Sequence, residues 1–407
     1  MDDKLQKLGY GLHTLVVFRG ILKEEPLQAL KALLGGDGDC IARLEAYSTF
    51  AARLYEHTEN WSQYLLNLVL EGENPHILRA AAGEIVSEQM KECVRQELSL
   101  LEEVSRLTSE ELKESLSYDG FLPGWKTEAL DFQRLYMERA ESVGRFGYGL
   151  YAKYTMFYLE NGEITPVRYP DETRLSDLIG YRRERQEVVD NTLALIQGKP
   201  AQNALLRGDA GTGKSSTVKA VVNEFSDRGL RLIEVRKEQM GELPKLLDIL
   251  SRNPLKFIIF IDDLSFSAED DCFGALKATL EGSVSARAEN IVIYATSNRR
   301  HLIRESFSDR EGDDVHRNDT MQQLISLSAR FGLKVTFSKP DKKAYMEIVT
   351  GLAKRYGITH LSEEDLSIQA EAFALAGSGR SARTAKQFIQ TCVLTRESAG
   401  GSVQEDD

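Results

Sequence analysis

Gly208-Asp209-Ala210-Gly211-Thr212-Gly213-Lys214-Ser215-Ser216 is the stretch that decides how this chain folds. Its spacing, a glycine, four residues, then Gly-Lys-Ser, is that of a phosphate-binding loop. The flanks agree with it. Ala204-Leu205-Leu206 reads as an apolar strand, and the residues from Ser216 to Val222 read as a helix. Glycines let successive backbone N–H groups turn toward one anion, and the helix N-terminus adds favourable partial charge. Lys214 can reach the β- and γ-phosphates of a nucleotide, and the Ser215 hydroxyl can take one position on Mg²⁺. Residues 208–216 are therefore the expected cradle for the phosphates of a nucleotide with Mg²⁺.

Two later strands end in polar groups suited to the same chemistry. Phe257-Ile-Ile-Phe-Ile261 runs into Asp262-Asp263. Asp262 at the strand end suits Mg²⁺, usually through water, and Asp263 can orient and activate an attacking water. An aspartate has a shorter reach than the commoner glutamate, which bears on the speed of hydrolysis. The second strand, Ile291 to Thr296, leads to Asn298, whose neutral amide can hold that water beside the acidic pair. Leu230–Val235 and Lys334–Phe337 are further apolar runs, and helical segments separate them all. Such alternation predicts an α/β fold with a parallel sheet covered by helices.

These blocks resemble the AAA+ ATPase superfamily over roughly residues 175–392. The resemblance implies a P-loop NTPase sheet of AAA+ type, followed by a C-terminal helical lid. Leu178-Ile179-Gly180-Tyr181 is similar to the segment that packs around adenine, so Gly180 and Tyr181 join the nucleotide-binding set. Ser328-Ala-Arg330-Phe-Gly-Leu333 is similar to the arginine-finger region, particularly as bacterial replication initiators carry it. This implies that Arg330 enters a neighbouring subunit's site and that the chain is a homo-oligomer. Gly379-Arg380-Ser381-Ala382-Arg383 is similar to the lid's sensor region. The distance to Phe388-Ile389 favours Arg383 as the sensor, with Arg380 as the alternative. More narrowly, LLRGDAGTGKSST, FIIFIDDLSF and YATSNRRHLI resemble a bacterial family of unknown function with a helical N-terminal region.

Residues 1 to about 140 read mainly as helices. Val86, Met90, Cys93, Val94, Leu101 and Val104 recur on one helical face, and Thr108-Ser-Glu-Glu111 reads as a capped helix start. Asn161-Gly162 between aromatic and apolar runs predicts a hairpin over about 151–169. The polar connector after it suggests boundaries: a mainly helical N-terminal domain over 1–172 that includes the hairpin, a nucleotide-binding core over 173–339, a lid over 340–395 and a disordered tail over 396–407. Trp61 and Trp125 are expected as core anchors.

Composition narrows the function classes. The chain has 407 residues, 51 Lys+Arg against 63 Asp+Glu, and a formal net charge of −12. That balance disfavours nucleic acid as the main partner. Asn298-Arg-Arg-His-Leu-Ile-Arg304 is a basic cluster that reads as a subunit interface or solvated face. With the initiator-like segment it leaves a DNA-associated initiator or loader as the alternative function. The leading function is an oligomeric ATP-driven switch or remodeller whose N-terminal domain recruits a protein partner. Glu238-Gln-Met240-Gly-Glu242 has no aromatic residue, so peptide threading through a pore is not supported. The four cysteines lie far apart, and no run is apolar enough to span a bilayer, so a reduced, cytoplasmic setting without a membrane role is expected.

Overall fold

The computed structural model describes residues 3–35, 40–264, 272–281, 288–298, 327–377 and 379–400. The chain divides into two compact units. The first comprises residues 1–153 with 253–255, and the second comprises 154–252 with 256–407.

The first unit is helical. Its longer helices include Asp3–Thr14, Glu25–Gly35, Cys40–Tyr55, Trp61–Glu71, Glu88–Ser105 and Phe132–Glu141. Polar caps set several starts: Asn60 accepts from Gln63 N, Ser87 from Met90 N, and Thr108 forms a reciprocal box with Glu111. Phe50 lies edge-on to both indoles, with ring centroids 5.0 Å from Trp61 and 4.8 Å from Trp125. The indole N–H groups donate to Val104 O and Leu107 O, so both tryptophans are buried with their polar handles satisfied. The apolar stripe differs in detail from its expected form. Val86 precedes the helix, Cys93 is exposed, and the interior positions include Glu97. Both Glu97 carboxylate oxygens accept backbone N–H bonds, from Val16, Val17 and Phe18, at 2.8–3.1 Å.

The second unit holds a seven-stranded sheet. Its strands are β1 Met156–Glu160, β2 Glu163–Pro166, β3 Ala204–Gly208, β4 Leu230–Glu234, β5 Lys256–Ile261, β6 Ile291–Ser297 and β7 Leu333–Phe337. The spatial order is β2-β1-β4-β5-β6-β3-β7, with every pair parallel except β1–β2. Leu206, Leu232, Ile258, Phe260, Val292 and Tyr294 pack in one core with Val188 and Leu195 of helix Arg182–Ile196 and Val218 of helix Lys214–Phe225. The alternate residues Leu205, Ile233, Ile259 and Ile293 are also buried, as in a sheet covered on both faces. That double burial is why Phe257–Ile261 is apolar throughout rather than alternating.

The hairpin belongs to this sheet, not to the helical unit. Met156 and Phe157 of β1 pair with Leu232 and Ile233 of β4, and Met156 enters the sheet's core. The division therefore falls at Lys153/Tyr154 instead of residue 172. The polar connector is a loop within the second unit. Asn161 (φ 51°) and Gly162 (φ 79°) both take the left-handed backbone that a two-residue hairpin turn demands.

Helices Lys342–Arg355, Glu363–Ala376 and Ala382–Gly400 form the lid around Tyr345, Ile348, Val349, Ala370, Phe388 and Ile389. The last helix continues to Gly400, so residues 396–400 are helical where a disordered tail is expected; residues 401–407 lie outside the described residues.

Candidate functional site

β6 lies between β3 and β5, an order that brings three strand ends together. β3 leads through Gly208 into the glycine loop, β5 ends at Asp262-Asp263, and β6 ends just before Asn298. A cleft of about 510 Å³ opens over these ends, and the P-loop residues from Ala210 to Ser216 line it. Gly208 and Asp209 do not; Asp209 Oδ2 instead accepts from Lys339 N at 2.9 Å, tying the loop to the chain leaving β7.

Lys214 opens its helix with a nearly buried side chain. Its ammonium donates to Gly208 O (3.0 Å), Asp209 O (2.7 Å) and Asn298 Oδ1 (2.9 Å). Burial lowers its pKa below the ordinary lysine value, while Asp209, Asp262 and Asp263 partly oppose that shift. Ser215 Oγ donates to Asp262 Oδ1 at 2.6 Å. Asn298 Nδ2 donates to Asp263 Oδ1 at 2.8 Å, so the amide bridges the lysine and the second acid. Asp263 has φ 50°, an uncommon conformation for a residue with a Cβ. It is held there by its N–H bond to Thr296 Oγ1 at 2.9 Å.

Thr296 is a residue that sequence reasoning missed. Its hydroxyl also donates to Asp262 Oδ1, joining the acidic pair to β6. The available signal was its position at the end of the same strand, two residues before Asn298.

The segment 178–181 meets the C-terminal helices. Tyr181 caps helix Arg182–Ile196 at φ 49°, donates from its hydroxyl to Ser338 O (2.8 Å) and packs against Phe337. Gly180 lies so close to the lid that an added Cβ would approach Ile348 Cγ1 to 2.8 Å. Leu178, Ile179, Tyr181, Ile348 and Leu352 give this end of the cleft an apolar lining, of which Gly180 is not a part. Arg355 pairs with Asp177 at 2.6 Å, linking the lid to the same segment.

At the other end, the lid touches the P-loop directly. Arg383 N donates to Gly211 O at 3.0 Å, and a Cβ on Gly211 would meet Ser381 Oγ at 3.0 Å. Ser381 Oγ accepts from Thr384 N, capping the helix that presents Arg383 and Lys386 to the cleft. The two lid arginines differ in placement. Arg383 lines the cleft, while Arg380 lies outside it and forms a bidentate pair with Glu371 at 2.8 and 2.7 Å. Arg380 as the alternative nucleotide contact is thus not supported by its position.

Arg330 is exposed at the end of a helical turn before edge strand β7 and does not line the cleft of its own chain. The basic residues 299–304 lie outside the described residues. Met240 is fully buried, so the segment compared with a pore loop contributes to the core. Among the described residues, no group of three or more His, Cys, Asp or Glu side chains could hold a metal ion. Also among them, no helix is long and apolar enough to cross a membrane.

The donor set of the cleft suits a magnesium nucleotide. A serine hydroxyl and a carboxylate meet at 2.6 Å, an acid–amide pair adjoins them, and a lysine lies within a glycine loop. Hard oxygen ligands of this kind match Mg²⁺.

A family model described as "Protein of unknown function (DUF815)" matches residues 152–395. An ATP-dependent zinc metalloprotease FtsH from Helicobacter felis is 24% identical over 272 residues, covering 58% of this chain and 39% of that protein. The replication factor C large subunit of Thermofilum pendens is 26% identical over 246 residues, covering 55% of this chain and 58% of that protein. The chain spans less than two thirds of the length of these curated relatives. A solved structure of a Thermotoga maritima RuvB mutant aligns with TM-score 0.39 and 15% identity, covering 55% of this chain and 66% of the other. Together these similarities mark the module over residues 152–395 as AAA+ ATPase-like.

Proposed function

Since the chain belongs to the DUF815 family, whose description assigns no activity, we propose a function from the site itself: binding and hydrolysis of ATP. The observation that carries this reading is the convergence of Lys214, Ser215, Asp262, Asp263 and Asn298 through direct hydrogen bonds at the mouth of one glycine loop.

Lys214 exchanges its bonds to Gly208 O, Asp209 O and Asn298 Oδ1 for phosphate oxygens. Ser215 and Asp262 hold Mg²⁺, which when bound supplies charge neutralisation to the phosphates. Asp263 accepts a proton from the attacking water, and Asn298 fixes the carboxylate that does so. Arg383 adds positive charge from the lid as the nucleotide fills the space beside Gly211. Arg330, exposed and outside its own chain's cleft, acts in a neighbouring copy, where a guanidinium stabilises charge on the transferring phosphoryl group. Hydrolysis then alters the contact between core and lid, and the helical unit carries a protein partner to that motion.

The test uses two variants of the full chain. Lys214→Ala is expected to lose ATP binding, and Asp263→Asn to bind ATP while turnover stops. Wild-type hydrolysis rates in both variants would overturn the proposal. Mixed Arg330→Ala and Lys214→Ala subunits should recover activity, which only a site shared between copies permits.

A further inference from the structure

Two carboxylates in the cleft have no part in phosphate, magnesium or water chemistry, and one of them, Asp177, is paired with Arg355. The other, Asp171, lines the cleft from the loop after β2. Its backbone is pinned to the P-loop helix: Asn223 Nδ2 donates to Asp171 O at 2.6 Å and to Thr173 O at 2.8 Å. Its side chain is oriented as well. Oδ1 accepts from Thr173 N (2.9 Å) and from Thr173 Oγ1 (2.6 Å), and Oδ2 has no hydrogen-bond partner among the described residues.

Its place along the cleft narrows what Oδ2 can meet. Asn223 is nine residues beyond Lys214, roughly 13 Å along the helix axis. Asp171 is also near the charges of Lys219 and of Lys386, the latter one helical turn beyond Arg383. The phosphate loop and the apolar residues Leu178, Ile179, Ile348 and Leu352 line the same cleft. A carboxylate in a cleft that takes phosphates cannot itself bind them, and its match on a nucleotide is a neutral donor. Between phosphates and base, a ribonucleotide offers two: the vicinal hydroxyls of its sugar.

We propose that Asp171 Oδ2 accepts hydrogen bonds from the ribose hydroxyls, so that the cleft selects ribonucleoside over 2′-deoxyribonucleoside triphosphates. This inference rests on the nucleotide-binding reading of the cleft. Asp171 keeps the charged form that such recognition needs, because the hydrogen bonds from the Thr173 hydroxyl and N–H hold its pKa below the usual carboxylate value. A charged acceptor that loses its donor forfeits about a tenfold factor in affinity.

The test measures magnesium-dependent binding of ATP, 2′-deoxy-ATP, 3′-deoxy-ATP and inosine triphosphate to the full chain by calorimetry. Wild type is expected to bind ATP about tenfold more tightly than either deoxy analogue, with the inosine nucleotide on the side of ATP. Asp171→Ala should bring ATP down to the deoxy level and leave the deoxy affinities unchanged. Thr173→Val keeps the carboxylate, loses one of the bonds orienting it, and should retain part of the preference. Equal wild-type binding of ATP and both deoxy analogues overturns the inference while leaving nucleotide binding intact. So does a preference that survives in Asp171→Ala, or weakened binding confined to the inosine nucleotide, which would put the base amino group at Asp171. No binding of any nucleotide overturns both readings.

Discussion

Replacing Thr296 by valine tests how the acidic pair is built, because the change removes a hydroxyl while nearly preserving volume. Thr296 is 1% exposed, so its two hydrogen bonds have no ready substitute in water. One is the Asp263 N–H bond at 2.9 Å, a neutral contact worth about 1 kcal/mol. The other is donated to the Asp262 carboxylate, where a charge-assisted bond is worth about 1.5–3 kcal/mol. Asp262 Oδ1 still accepts from Ser215 Oγ and Asp263 N, which moderates the loss. The expected destabilisation is about 2–3 kcal/mol. The assay can confine it to one unit. Both tryptophans, Trp61 and Trp125, belong to the helical unit, so indole fluorescence follows that unit while far-ultraviolet circular dichroism follows both. Urea unfolding of Thr296→Val should lower the dichroism midpoint and leave the fluorescence midpoint in place. Thr296→Ser should recover most of the stability, short of about 1 kcal/mol for the missing methyl group. A valine variant within about 0.5 kcal/mol of wild type, or a serine variant as unstable as valine, refutes this account of the hydroxyl.

Three more outcomes follow from the geometry. Arg383→Ala should weaken ATP binding about tenfold, whereas Arg380→Ala should stay within about twofold, measured by nucleotide titration, since only Arg383 lines the cleft. Glu97→Ala should destabilise the helical unit by about 3–5 kcal/mol in tryptophan-detected urea unfolding, because three backbone N–H groups lose their acceptor together. Burial raises the Tyr294 pKa to about 12 from an ordinary value of about 10. An unfolded tyrosine therefore loses its proton first, so this contribution is complete below pH ~10 and lost as pH rises toward ~12. Tyr294→Phe should flatten the stability profile over that interval by up to about 3 kcal/mol, as read by unfolding at stepped pH.

The fold was largely legible because its signals were local. The loop residues 208–216, the apolar runs of β3 to β7 and the Asn161-Gly162 turn each carry their geometry in a few adjacent positions. What escaped depended on pairing between distant segments. Nothing in Met156–Glu160 itself says that it will lie beside Leu230–Glu234, so the hairpin was grouped with the helices preceding it in the chain. Glu97 looked like any polar residue on a helix, and its interior position follows from three N–H groups about eighty residues earlier. In the cleft, the residue types with one dominant chemical use, lysine after glycine and paired aspartates at a strand end, could be named. Thr296, Asp171 and Arg355 could not, because threonine, aspartate and arginine are ordinary surface or strand residues until a partner from another element faces them.

Lys214 links these local and distant features. Its three N–H donors are all engaged, two by carbonyls of its own loop and one by Asn298. An arriving phosphate must therefore compete with bonds already formed, so the net gain is smaller than a bare ammonium would give. The exchange also has a consequence elsewhere. Asn298 Oδ1 gives up its lysine while Nδ2 remains on Asp263 Oδ1, and the amide oxygen becomes free to accept a hydrogen bond from a water beside the acid. The lysine's departure would thus prepare the water-holding pair. Asn298→Ala should then lower turnover more than ATP affinity, because it removes the acid's partner yet also frees the lysine from one competitor. A loss confined to affinity, with turnover per bound nucleotide unchanged, would show that the amide serves only to store the lysine.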